Sequence, residues 1–161
     1  MYLIDTSIFL EILLEQEKAN EAEKFLREVP AERLHISDFS LYSIGIILFK
    51  LRKHGTFSEF VEDVFVNGGI ALLRLSFLDF EEVVKASKRF DLDFDDAYQY
   101  VLAKKYNLKI VSFDSDFDRT DTEEFFPHKF SKLVSFLPLS CKLLGLNYRD
   151  KGVKLMLYNL Y

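Results

Sequence analysis

The chain has 161 residues, 49% of them hydrophobic, and a formal net charge of −5, which allows one sizeable core and sets the length of a single domain. Its one cysteine, Cys141, excludes an intramolecular disulfide, and Asp5 and Glu11 interrupt any leader-like apolar start, so a reducing, cytoplasmic setting is expected. No apolar run approaches the ~18 residues of a bilayer span, which predicts a soluble protein with no membrane partner. The charge is uneven: residues 1–32 carry eight acids and three bases, whereas residues 129–161 carry six bases and one acid. Local basic surface is therefore available although the whole chain is acidic.

Tyr2-Leu3-Ile4 reads as a short strand buried on both faces, and Asp5-Thr6-Ser7 supplies residues that start a helix. Ile8 to Leu14 gives a first helix, and Ala19, Ala22, Phe25, Leu26 and Val29 recur at helical spacing before Pro30. Leu34-His35-Ile36 is strand two. Ser37 or Asp38 caps a third helix running to about His54, so apolar from Ile44 to Leu51 that it must lie between layers or meet a partner chain. Phe60, Val61, Val64 and Phe65 mark another helix, ended by Asn67-Gly68-Gly69, and Ile70 to Leu75 is strand three.

Asp79 opens a helix with Phe80, Val83, Val84 and Ala86, and a further helix runs from Asp96 to Tyr106. Lys109 to Phe113 is strand four, Asp114 to Thr122 a polar turn, and Leu133 to Leu137 a fifth strand. Beyond Pro138 the tail fits strand or helix equally well. Strands separated by helices throughout predict an α/β fold, a parallel sheet with helices on both faces.

The chemistry lies in the aspartates. Asp5 follows strand one, Asp114 and Asp116 follow strand four, and Asp96 lies in the first turn of the helix that feeds strand four. Carboxylates at the carboxyl ends of parallel strands converge on one crevice and repel each other unless a hard cation neutralises them. Such a set suits one or two Mg²⁺ or Mn²⁺ ions and attack by water on a phosphodiester. His35, His54 and His128 lack ligand spacing, so zinc is not expected. A calcium loop starting at Asp114 fails, because its sixth position is Arg119 and its twelfth Phe125. An aspartate-dependent phosphatase motif fits poorly, with Asp118 where threonine or valine is needed. For each acid taken alone a helix cap is the simpler reading, and Ser7 and Ser112 serve either as caps or as donors that orient the carboxylates.

These residues resemble the PIN-domain family of nucleases. Tyr2-Leu3-Ile4-Asp5-Thr6-Ser7 is similar to its opening strand and Asp-x-Ser, Phe94-Asp95-Asp96-Ala97 to its third-acid motif, and Val111-Ser112-Phe113-Asp114-Ser115-Asp116-Phe117 to its closing motif. With Ser37 starting a helix between them, the match spans residues 1 to about 137. The resemblance implies a three-layer α/β/α sandwich with a five-stranded parallel sheet. It also implies Mg²⁺ or Mn²⁺ held by Asp5, Asp96 and Asp114 with Asp116, and cleavage of single-stranded RNA. Homodimers and a toxin role with an antitoxin partner are further implications.

One departure qualifies this: the family's glutamate six residues after the helix-opening serine is here Ser43. A hydroxyl is a neutral, poor ligand, so either Asp38 reaches in or cation binding is weakened. The alternative is therefore a degenerate, non-catalytic PIN fold kept for RNA binding or assembly. The expected layout is a PIN-like domain over 1–137 and an extension, 138–161, packed on that domain or on a dimer partner.

Overall fold

Strand β1, Tyr2–Ile4, is the centre of the sheet because it is apolar on both faces: Leu3 and Ile4 are fully buried and point to opposite sides. The structure is a computed structural model describing residues 1–121 and the backbone of residues 124–125. Four further strands complete a five-stranded sheet in the order β3-β2-β1-β4-β5: β2 (Leu34–Ser37), β3 (Ala71–Leu73), β4 (Lys109–Val111) and β5 (Glu124–Phe125). Every pairing is parallel, with Ile4 level with Ile36 on one side and Val111 on the other.

Ile4, Ile36 and Val111 bury against α1 (Thr6–Leu13), α2 (Ala19–Glu28), α3 (Asp38–Lys50) and α4 (His54–Val61), through residues such as Phe9, Phe25, Leu48 and Phe60. On the other face Leu3 and Ile110 meet α5 (Phe80–Phe90) and α6 (Phe94–Tyr106). Three layers result, as expected. Full burial of one such aliphatic or aromatic side chain contributes about 1.5–3 kcal/mol, so the two clusters are the main favourable term in folding.

The chain winds from β1 to β2 and β3 on one side, then returns to place β4 and β5 on the other. This reversal of winding beside β1 opens a crevice at the carboxyl ends of β1 and β4, where ligands of such sheets bind.

The element limits differ from the sequence expectations in a few places. The third helix stops at Lys50, where Arg52 turns left-handed (φ 59°) and the Lys53 amide returns to the Leu48 carbonyl; α4 then starts at His54. Strands three and four are shorter than expected. A one-turn helix, Phe77–Asp79, precedes α5 and is closed by a reciprocal Ser76–Asp79 cap. Helix α6 begins two residues before Asp96, and Asn107 ends it in the left-handed conformation (φ 52°) while the Leu108 amide bonds the Ala103 carbonyl.

Strand β5 lies at 124–125, just past the expected polar turn. The expected strand at 133–137 and the extension 138–161 lie outside the described residues. Among the described residues no helix is long and apolar enough to cross a membrane.

Candidate active site

The strand register sets three side chains side by side at the carboxyl edge of the sheet. One residue beyond Ile4, Ile36 and Val111 stand Asp5, Ser37 and Ser112, in neighbouring strands. All three are buried, and the Asp5 amide donates to the Val111 carbonyl at 3.0 Å.

Asp5 caps α1 and does more than cap. Its Oδ2 accepts from the Ser7 amide (3.2 Å), the Ser7 hydroxyl (2.7 Å) and the Ser112 hydroxyl (2.8 Å). Ser7 in turn accepts from the Phe113 amide at 3.2 Å, and Ser112 from the Asp114 amide at 2.9 Å. The Asp5 carboxylate is thereby fixed by hydroxyls from two different elements, and the start of the Asp114 turn is tied to the same pair of serines. Both serines act as the orienting donors the sequence allowed.

Asp96 sits in the first turn of α6, half-buried. Burial raises its pKa from 3.8 to about 7, and the negative charges of Asp95, Asp114, Asp5 and Asp116 push in the same direction. The fold has therefore brought the sequence-predicted acids Asp5, Asp114 and Asp116, and Asp95 besides, within electrostatic reach of Asp96. Asp95 is an addition that the sequence held only as part of a motif.

Asp114 caps the turn Ser115–Arg119 by accepting from the Asp116 amide at 3.0 Å. Phe117, fully buried, pins that turn into the core. Asp116 is partly engaged elsewhere: its Oδ1 pairs with the Arg119 guanidinium, which also donates to the Asp91 carbonyl at 2.9 Å. The spacing of three residues between Asp116 and Arg119 was the available signal for this pair.

Ser43 is partly exposed in α3, and the neighbouring candidate acid, Asp38, does not stand free in its place. The Tyr98 hydroxyl donates to Asp38 Oδ1 at 2.7 Å and accepts from the Leu75 amide at 2.9 Å. Asp38 thus ties α3 to α6, while Ser37 is the residue that caps α3. The next residue of α6, buried Gln99, donates to Ser40, which also receives the Ser37 hydroxyl at 3.0 Å. His35 donates Nδ1–H to the Tyr2 carbonyl at 3.2 Å, and the His54 ring packs edge-on 4.6 Å from Phe49; His128 lies outside the described residues.

Among the described residues no three Asp, Glu, His or Cys side chains stand close enough to hold a metal ion as placed. The donor chemistry nonetheless suits a hard cation. The acids offer only oxygen, and the negative charge that adds to burial in raising the Asp96 pKa is a field that a divalent ion would relieve.

The fold and motifs have counterparts among known proteins. The PIN domain family model matches residues 2–123. VapC20 of Mycobacterium tuberculosis, a sarcin-ricin loop cleaving toxin, superposes with a TM-score of 0.67 at 16% identity, covering 78% of this chain and 98% of its own. FitAcB of Neisseria gonorrhoeae gives a TM-score of 0.63 at 18% identity over 80% and 99% of the two chains. PAE2754 of Pyrobaculum aerophilum gives 0.60 at 20% identity over 83% and 96%. A search among curated proteins gave no match. At these identities the solved structures speak for the fold, while the family match covers most of the sequence together with its acid motifs. This chain belongs to the PIN domain family.

Proposed function

We propose that the protein is a Mg²⁺- or Mn²⁺-dependent endoribonuclease that hydrolyses single-stranded RNA, with Asp5, Asp96 and Asp114 as the cation-holding acids and Asp116 assisting. The observation that carries this reading is the convergence of Asp5, Asp114, Asp116 and Asp95 on a half-buried Asp96 whose pKa rises to about 7. A bound divalent cation would supply Lewis acidity and a water activated near neutral pH. The chain's own part is preorganisation. Ser7 and Ser112 hold one face of Asp5 so that its remaining lone pairs are presented in a fixed direction. Phe117 and Ser112 fix the Asp114 turn, and Asp96, once deprotonated, would help to hold the cation. Asp116 is available once Arg119 releases it, and the guanidinium freed in that way can meet a phosphate oxygen.

A toxin role with an antitoxin partner is supported by the fold's neighbours, among them a toxin–antitoxin complex from Klebsiella pneumoniae and a FitAB complex on a DNA fragment. A homodimer in the cytoplasm completes the reading. Incubation with unstructured RNA and Mn²⁺ is expected to give cleavage that the Asp96→Asn variant loses. Ser43 favours a second reading, a non-catalytic member that binds RNA or assembles. No cleavage of any RNA, with no thermal stabilisation by millimolar Mn²⁺, decides for that reading. Activity created by Ser43→Glu would show that this position alone disabled the site.

A further inference from the structure

The turn of α6 that carries Asp96 also carries Phe94, two residues before it, and Tyr98, two residues after. Together with Phe39 of α3 and Phe80 of α5 they make one contiguous group of rings. Phe94 lies 5.6 Å from Phe39 and 6.2 Å from both Phe80 and Tyr98, and Phe80 is nearly parallel to it at 24°. Ring clusters ordinarily sit inside a protein, but here Phe94 is 51% exposed and Phe80 38%. The group is also stiff, since Tyr98 is held by Asp38 and the Leu75 amide and packs 5.5 Å from Phe39.

Phe39 follows β2 and Phe113 follows β4, so the two flank Asp5 on opposite sides along the carboxyl edge of the sheet. On that other side the Lys18 ammonium lies 4.6 Å from the ring of Phe113, the residue before Asp114, and is a cation that suits a backbone phosphate. The crevice therefore has a cationic flank and an aromatic flank. A single-stranded nucleic acid presents both complements, phosphates and unpaired bases, and stacking on a protein ring tolerates any base.

We propose that Phe94, backed by Phe39 and Phe80, is a stacking platform for an unpaired nucleobase next to the scissile phosphate. This rests on the ribonuclease reading above. A second copy of the chain is the competing occupant, because exposed Leu78 and Val84 are nearby in sequence. The two differ in one physical requirement: a base needs a π face, whereas an apolar protein contact accepts equal aliphatic area.

The test uses the full chain with Mn²⁺ in an Asp96→Asn background, which binds without cutting. Short single-stranded RNAs carry 2-aminopurine scanned through each position, and sedimentation velocity follows the oligomeric state. Phe94→Leu is expected to abolish the stacking-induced quench at one position and to weaken binding about 5- to 100-fold. Phe94→Tyr is expected to restore both, with the oligomeric state constant throughout. If the parent binds, and the protein with Asp96 intact cleaves, but Phe94→Leu changes neither quench nor affinity, the platform alone falls. It falls likewise if affinity drops only as an oligomer dissociates, which assigns the face to a second copy. If no RNA is bound even with Phe94 present, and none is cleaved with Asp96 intact, the platform and the ribonuclease reading fall together.

Discussion

At the β1–β4 corner, Asp5 accepts three hydrogen bonds from Ser7 and Ser112, while in the first turn of α6 no described residue donates to the carboxylate of Asp96 and the negative fields of four other aspartates act on it. The first acid is part of the architecture, since it starts a helix and knits two strands together. The second is tolerated by the architecture and relieved by a proton. One fold thus handles a negative charge in two ways, and only the second leaves a demand that an added cation can meet.

The sharpest way to break this contrast is to neutralise Asp96. With Asp96→Asn, Mn²⁺-dependent cleavage is expected to fall by at least ~10²-fold, beyond the 10–100-fold typical of losing a group that merely supports a ligand; a gel assay of RNA products checks it. The same variant should raise the thermal midpoint of the chelator-treated protein above pH 7, where it removes a carboxylate whose charged form this half-buried site disfavours. Activity and stability move in opposite directions there.

Asp5→Ala should do the reverse for stability. It removes a helix cap and takes from the Ser7 and Ser112 hydroxyls the carboxylate they share, a loss of about 2 kcal/mol, or roughly 4–8 °C in a chain of this size. Differential scanning calorimetry reads it, and an unchanged midpoint would mean that Asp5 serves the cation alone. Ser112→Ala, which deletes one donor to Asp5 and one acceptor for the Asp114 amide, should cost about 1 kcal/mol by urea unfolding.

The smallest effect is in the pH dependence. Folded Asp96 keeps its proton up to about 7, while an unfolded aspartate releases it near 3.8, so its contribution to stability is complete below 3.8 and is lost as pH rises through 7. In chelator, the midpoint of the wild type is expected to fall relative to that of Asp96→Asn between about pH 4 and 7 and to level off above that. Millimolar Mn²⁺ should remove the difference.

Much of this comparison was legible in the sequence, because it depends on local pattern. The apolar triplet before Asp5, the triplet Lys109-Ile110-Val111 before Ser112, and the acid-rich start of α6 each announce an element and its end. Parallel pairing then brings those ends together without further information. What stayed hidden were side-chain bonds between residues distant in sequence. Nothing local says that Tyr98 reaches Asp38, which turns a candidate ligand into a strut between helices. Nor does local pattern say that Gln99 meets Ser40. Strand limits were read too long at 70–75 and 109–113, since Leu75 and Phe113 prolong the apolar pattern past the last ladder pair, and the Leu75 amide bonds the Tyr98 hydroxyl instead of a neighbouring strand. Exposure of Phe94 was equally invisible, because its apolar character by itself argues for the interior.

The left-handed Asn107 has a consequence for how Asp96 is aimed. It stops α6 one residue before Leu108 enters the core and β4 begins, so the helix acts as a ruler of fixed length counted back from the sheet. Inserting a single residue between Asp96 and Asn107 would rotate the carboxylate by about 100° and lift it by about 1.5 Å. An insertion between Asp96 and Ala97, compensated by a deletion before Phe94, would therefore keep the buried residues Ala97 to Ala103 in register with the sheet while swinging the acid away from its neighbours.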